Sequence, residues 1–212
     1  MWRERQRQKS EETRQLILET ALKIGMEQGF EALSIRKITN ALGYSAGIIY
    51  YYFKDRQEII DTLHAEADFE LNEEIHKILD IEKGFEYNTR TVFHMIMELA
   101  LSKPERYSLI VMDKFTNRRE IIGKWSDMIE QTMLVGIDSR ELRPLDSKIA
   151  AFNIWSAFIG LMIMISGNKA ITKEYAEKLF NSHLEIIMNG IKYVEGNITL
   201  WKKGRDAWLL LL

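Results

Sequence analysis

The sequence predicts an all-α fold, with an N-terminal unit of three helices and a larger C-terminal helical domain. Three observations carry this expectation. Apolar residues recur at i, i+3, i+4 and i+7 along most of the chain, and no stretch shows the strict alternation of a half-buried strand. Only two prolines interrupt 212 residues. Between Ser34 and Asp55, two short amphipathic stretches meet at a glycine. The chain is long enough, and at 46% hydrophobic apolar enough, to bury a sizeable core in one or two domains. It has no cysteine, which excludes a disulfide framework and any cysteine-ligated metal. The expected division is 1–56 for the three-helix unit, 57–83 for a connecting helix, 84–194 for the larger domain and 195–212 for a tail.

The segment Met1 to Ser10 is basic and polar with no apolar run behind it, so it reads as a flexible basic arm over 1–9 and not as a secretory signal. A cytoplasmic location is therefore expected. The first long helix should start at Ser10, with Glu11 and Glu12 at its positive end, and stop near Gly29. Ile17, Ala21 and Ile24, flanked by Leu18 and Leu22, give it one apolar face, with Phe30 and Leu33 as plugs.

Ser34 can cap a second helix whose packing face is Ile35, Ile38 and Leu42. Gly43 ends it, because glycine enters the left-handed region without a Cβ penalty. Ser45 can cap a third, two-turn helix over Ala46 to Phe53, with Ile49 and Phe53 inward. Asp55 and Glu58 resemble a capping box that opens a long helix through Ile59, Leu63, Ala67, Leu71, Ile75 and Ile78.

The outward residues of the third helix suggest chemistry. Ala46 and Gly47 are small enough for close approach to a base edge, Ile48 can meet a thymine methyl, and phenols can hydrogen-bond phosphate. Phosphate contacts are expected from Ser34, Tyr50, Tyr51, Tyr52, Lys54 and Arg56, and base-edge contacts from Ala46, Gly47 and Ile48, with Ser45 opening the reading helix. Residues 1–56 carry ten basic against seven acidic groups, whereas 57–83 carry two against nine, a polarity that fits a phosphate-facing N-terminal end.

The run Ser34, Ile38, Thr39, Gly43, Tyr44, Ser45, Gly47, Tyr50, Phe53, Arg56 and Glu58 resembles the N-terminal signature of the tetracycline-repressor (TetR) family of bacterial transcription regulators. Thr39 stands where the family usually has Ala, and Ile48 where many relatives have a polar residue. The resemblance implies a homodimeric regulator, a repressor, of double-stranded DNA at a palindromic operator. It also implies that the last two long helices pair with those of a second subunit as a four-helix bundle.

Gly84 marks the next break, and helical patterns follow over Asn88 to Leu101, Glu105 to Phe115 and Asn117 to Gly136. Pro144 stops what precedes it, and Asp146 can cap the next helix. The run Ile149 to Asn168 has no charge over 20 residues, long enough to span a bilayer. Asn153, Ser156, Ser166 and Asn168 interrupt it and no flanking Lys/Arg cluster orients it, so a buried core helix is expected and no membrane partner. The helices at 149–166 and 173–194 are the expected self-pairing interface. The tail, ending Trp208 to Leu212, is too short to span a membrane.

No catalytic pattern appears: there is no nucleophile elbow, phosphate-binding glycine loop or H-E-x-x-H helix. His94 and Glu98 lie one helical turn apart but lack a third ligand, so no metal, cofactor or enzymatic activity is expected. An apolar cavity between about residues 84 and 170 is expected to take a small hydrophobic or amphipathic ligand. Its candidate lining is Phe93, Met97, Tyr107, Val111, Phe115, Trp125, Met128, Phe152 and Trp155, with His94 or Asn153 as polar anchor. The competing reading is a helical protein-binding or membrane-associated module without DNA binding. It would require a continuous apolar stripe on the free face of the third helix, where the sequence puts tyrosines beside Lys54 and Arg56.

Overall fold

A computed structural model describes residues 2–111, 118–166, 168 and 170–194. The described residues are mostly helical and form no strand, only one isolated antiparallel bridge between Leu142 and Lys192. The helices are α1 (Trp2–Gln28), α2 (Ile35–Leu42), α3 (Ala46–Tyr52), α4 (Arg56–Ile78), α5 (Gly84–Ser102), α6 (Pro104–Ile110), α7 (Arg118–Asp138), α8 (Ser147–Ser166) and α9 (Lys173–Ile191).

The chain divides into two compact units, Met1–Leu79 with Thr91–Lys124, and Asp80–Arg90 with Trp125–Leu212. This differs from cuts near residues 56 and 84, because residues 91–124 join the N-terminal helices. In the first unit, Ile17, Leu18, Ala21 and Ile24 of α1 share one apolar cluster with Ile38 of α2, Ile49 of α3, Phe53, Ile59, Ile60 and Leu63 of α4, and Leu109 of α6. Phe30 and Leu33 plug it as expected.

In the second unit, α8 buries a stripe of Ala151, Ile154, Trp155, Phe158, Met162 and Ile165, and α9 buries Ala176, Phe180, Leu184 and Met188. An aromatic ladder crosses this core. Trp125 stacks on Trp155 at 5.0 Å, Trp155 meets Phe158 at 5.8 Å, and Phe158 meets Phe180 edge-on at 6.5 Å. Because α8 is apolar all round, its composition alone is that of a membrane span, yet only one stripe of it is covered within the unit.

Several element boundaries differ from expectation, each for a physical reason. The helix α1 starts at Trp2 and not at Ser10, so the basic arm 2–9 is helical; its Arg, Gln, Glu and Lys residues are good helix formers with no Gly or Pro among them. The helix α5 starts at Gly84 and not at Asn88, because Glu141 supplies a cap from elsewhere in the chain. The backbone N–H groups of Phe85 and Glu86 donate to its carboxylate at 2.6 and 2.8 Å. Gly84 itself takes φ of +75°, and a Cβ there would lie 2.5 Å from a Glu141 oxygen. The helix α9 stops at Ile191 because Lys192 leaves helical geometry at ψ 144°; the Arg143 N–H then takes the Ile191 carbonyl at 2.9 Å, and the Tyr193 N–H bonds the Glu141 carbonyl.

Candidate nucleic-acid interface

The first unit presents α2 and α3 as a tight pair. Ser34, extended at φ −152°, accepts the Lys37 N–H on its hydroxyl at 3.3 Å and so caps α2. Gly43 closes α2 in the left-handed region at φ 69°, where the N–H groups of Gly43 and Tyr44 both reach the Thr39 carbonyl. Ser45 is extended, but its side chain makes no cap bond, contrary to expectation.

Burial within α3 divides cleanly. Ile49 and the C-cap Phe53 are buried and anchor the helix, which ends at Tyr52. Ala46 and Gly47 are exposed, as are Ile48 at 38%, Tyr50 at 55% and Tyr51 at 78%. Gly47 has only the Ser45 hydroxyl within 4 Å of where a Cβ would stand, so nothing in the protein requires a glycine here. Tyr51 and Tyr52 pack edge-to-face at 5.0 Å, and Lys54 is exposed just past the helix end. This face offers small residues, one branched apolar group, hydroxyls and a cation, and it has no continuous apolar stripe for a partner helix.

Besides Ser34, two more of the expected phosphate contacts have tasks inside the fold. The Arg56 guanidinium donates from Nε to the Leu33 carbonyl and from Nη2 to the Phe30 carbonyl, both at 2.7 Å. The turn Phe30–Ala32 gives the Phe30 carbonyl one backbone donor, the Leu33 N–H at 3.2 Å, and Arg56 adds a charge-assisted bond to it and one to the Leu33 carbonyl, tying the α1–α2 loop to α4. Arg56 thus has a structural task within the first unit. Tyr52 is half-buried against the core, and its phenol meets the Ser10 hydroxyl at 3.4 Å. The start of α4 matches the expected capping box in part. Asp55 accepts the Glu58 N–H at 2.9 Å, while the Glu58 carboxylate takes the Lys54 N–H instead of that of Asp55.

The expected ligand-lining residues fall in both units. In the first unit Phe93, Met97, Tyr107 and Val111 are buried, and His94 is half-buried with interactions of its own. The Tyr107 hydroxyl is buried with no hydrogen-bond partner, and burial pushes its pKa above the ordinary tyrosine value. His64 of α4 likewise has a buried Nε2 without a partner, a candidate that sequence reasoning missed because nothing in its local pattern marks it. In the second unit Trp125 and Trp155 cover one another's faces and Met128 is half-buried. Phe152, 51% exposed, and Asn153 point away from the buried stripe of α8, so neither lines an interior cavity in this unit. Phe115 and the tail 195–212 lie outside the described residues.

Comparison with known proteins agrees with this geometry. Residues 17–63, from the buried part of α1 to Leu63 of α4, match the family "Bacterial regulatory proteins, tetR family". The chain is 26% identical over 178 residues to the HTH-type transcriptional regulator AcrR of Shigella flexneri, covering 74% of this chain and 79% of that one. Its fold is similar to that of a TetR-family transcriptional regulator from Pectobacterium atrosepticum, with a TM-score of 0.69 and 18% identity over 89% of this chain and 98% of that one. It is also similar to RolR in complex with resorcinol, with a TM-score of 0.62 and 16% identity over 87% and 89% of the two chains. With the cap at Ser34, the left-handed Gly43 and the buried Ile49 and Phe53 in the positions this signature requires, residues 17–63 are a DNA-binding helix-turn-helix of the TetR family of bacterial regulatory proteins.

Proposed function

We propose that the protein is a repressor that binds a palindromic operator in duplex DNA as a homodimer and releases it when a small hydrophobic or amphipathic ligand binds. The observation that carries this reading is the exposed face of α3. Ala46, Gly47 and Ile48 are its base-edge contacts, and Ser34, Ser45, Tyr50, Tyr51 and Lys54 hold the phosphates on either side, with Tyr52 at the margin. Two copies related by a dyad present two such helices to successive turns of the major groove. The location is cytoplasmic, where the DNA is.

Selection from random duplex DNA tests the reading. An enriched palindrome is expected, and its absence removes the proposal. Ile48→Ala should change the preferred base pair at one position in each half-site, by about 1–3 kcal/mol of discrimination. Lys54→Ala should leave preference alone and reduce the salt slope by about one per subunit. Arg56→Ala should instead lower stability, since it strips two carbonyls of charge-assisted bonds.

The ligand is assigned to the buried Tyr107 hydroxyl in the first unit, where Phe93, Met97 and Val111 are also buried. A buried phenol without a partner is costly unless something takes its hydrogen bond. Leu109, two residues on, belongs to the same apolar cluster as Ile49 and Phe53, so a shift of α6 is felt where α3 is anchored. The resorcinol complex of RolR, a protein of similar fold, supports a small ligand with polar edges. A panel of such compounds, scored by operator release, should contain active members. Tyr107→Phe should weaken their binding by roughly tenfold, the worth of one hydrogen bond, with DNA affinity in the absence of ligand unchanged. A panel in which nothing releases the operator sinks the ligand half of the proposal.

A further inference from the structure

The helix α1 runs for 27 residues, yet its buried positions begin only at Ile17. Residues 2–9 are all exposed, so burial does not explain why the helix continues for two further turns. Helix-dipole energetics do not explain it either, because Arg3, Arg5, Arg7 and Lys9 place four cations against one Glu4 at the positive end of the helix.

The register of these residues is informative. Ala21, Ile17, Arg14, Ser10, Arg7 and Arg3 follow one another at alternating steps of four and three, so they share one helix face. Ala21 and Ile17 are buried in the core. The Arg14 guanidinium stands over the Phe53 ring at 4.9 Å, and the Ser10 hydroxyl meets the Tyr52 phenol. This face is therefore turned toward the C-terminal end of α3. Arg7 and Arg3 continue it about 4.5 and 10.5 Å past Ser10 along the helix axis. Arg5 and Lys9 fall on the opposite face.

We infer that Arg3 and Arg7 form a second phosphate clamp, gripping the DNA backbone on the outer flank of each half-site, beyond the base pairs that α3 reads. The inference rests on α3 entering the major groove. A planar guanidinium fits a phosphate by two parallel hydrogen bonds, and a stripe of two arginines on one rigid helix holds them in a fixed spacing.

Two double variants of equal charge change, compared in the full chain on the selected operator, test this. They are Arg3→Ala with Arg7→Ala, and Arg5→Ala with Lys9→Ala. All four side chains are exposed, so both proteins should melt with the wild type. The first pair should lower the salt slope by about two per subunit, weaken operator binding roughly tenfold near physiological salt, and shorten the hydroxyl-radical footprint at both outer edges without changing the preferred sequence. The second pair should lose less than about threefold and keep the full footprint. Equal losses in the two pairs, or an unchanged slope and footprint in the first, overturn the clamp while leaving recognition by α3 standing. A wild-type chain that enriches no palindrome overturns both.

Discussion

Gly25→Val is expected to melt the DNA-reading unit at markedly lower temperature and to abolish operator binding in step. A Cβ built on Gly25 would stand 2.3 Å from Cε1 of Phe30 and 2.6 Å from both Cδ1 and Cζ, distances at which something must move. The ring has nowhere to go, because Phe30 is fully buried in the cluster that also holds Ile49 and Phe53. Its backbone is pinned as well, by the bond from Arg56 to its carbonyl. A glycine in the middle of a helix costs about 1 kcal/mol relative to alanine, so this one is explained by the ring it admits. Gly25→Ala should cost about 1–3 kcal/mol by overpacking, and the β-branched valine more. Thermal melting followed by circular dichroism, with anisotropy on labelled operator, reads both effects. Phe30→Leu in the Gly25→Ala background should recover part of the loss, since residues in contact couple. If Gly25→Val melts within a degree or two of wild type, the close approach of α1 and Phe30 is wrong.

The parts of this molecule that could be read from sequence are those fixed by neighbours in the chain. Ser34 caps α2 three residues away, Gly43 turns within one residue, and Asp55 takes an N–H three residues on, so the helix-turn-helix and the start of α4 emerged with nearly correct ends. What escaped depends on partners far along the chain. The cap of α5 comes from Glu141, more than fifty residues from the N–H groups it accepts, and no local rule links the two. Arg56 fits a phosphate-binding signature by type and position, and only the fold reveals that Phe30 and Leu33 occupy it. The unpartnered hydroxyl of Tyr107 was invisible for the same reason, since sequence can mark a residue as apolar-lined but not as unsatisfied. The helical arm failed differently. Its residues favour helix by propensity, while the expectation of flexibility rested on their charge.

Gly160→Arg should turn a dimer into a folded monomer that binds its operator at least about a hundredfold more weakly, the scale on which two linked sites exceed one. Gly160 is exposed and has no atom within 4 Å of an added Cβ, so an arginine is accommodated within the subunit. The surface around it is unusual for one facing water. Outside its buried stripe α8 exposes Ile149, Phe152, Ile163 and Met164, the last at 70%, and α9 exposes Ile186 at 72%. A groove of about 450 Å³ separates the two helices, with Ile149, Ala157, Ile186 and Gly190 among its walls. A contiguous apolar face of this kind is covered in a soluble protein, and a second copy laying the same face against it buries both at once. Burying an unpaired guanidinium there costs several kcal/mol, enough to separate the subunits. Sedimentation without detergent should give about twice 24.9 kDa for the wild type and 24.9 kDa for the variant. A variant that stays dimeric moves the interface elsewhere, and a monomer that keeps full operator affinity removes dimerisation from the mechanism. A wild-type chain that requires detergent would instead make α8 a membrane span, the use for which its charge-free run of side chains also suits it.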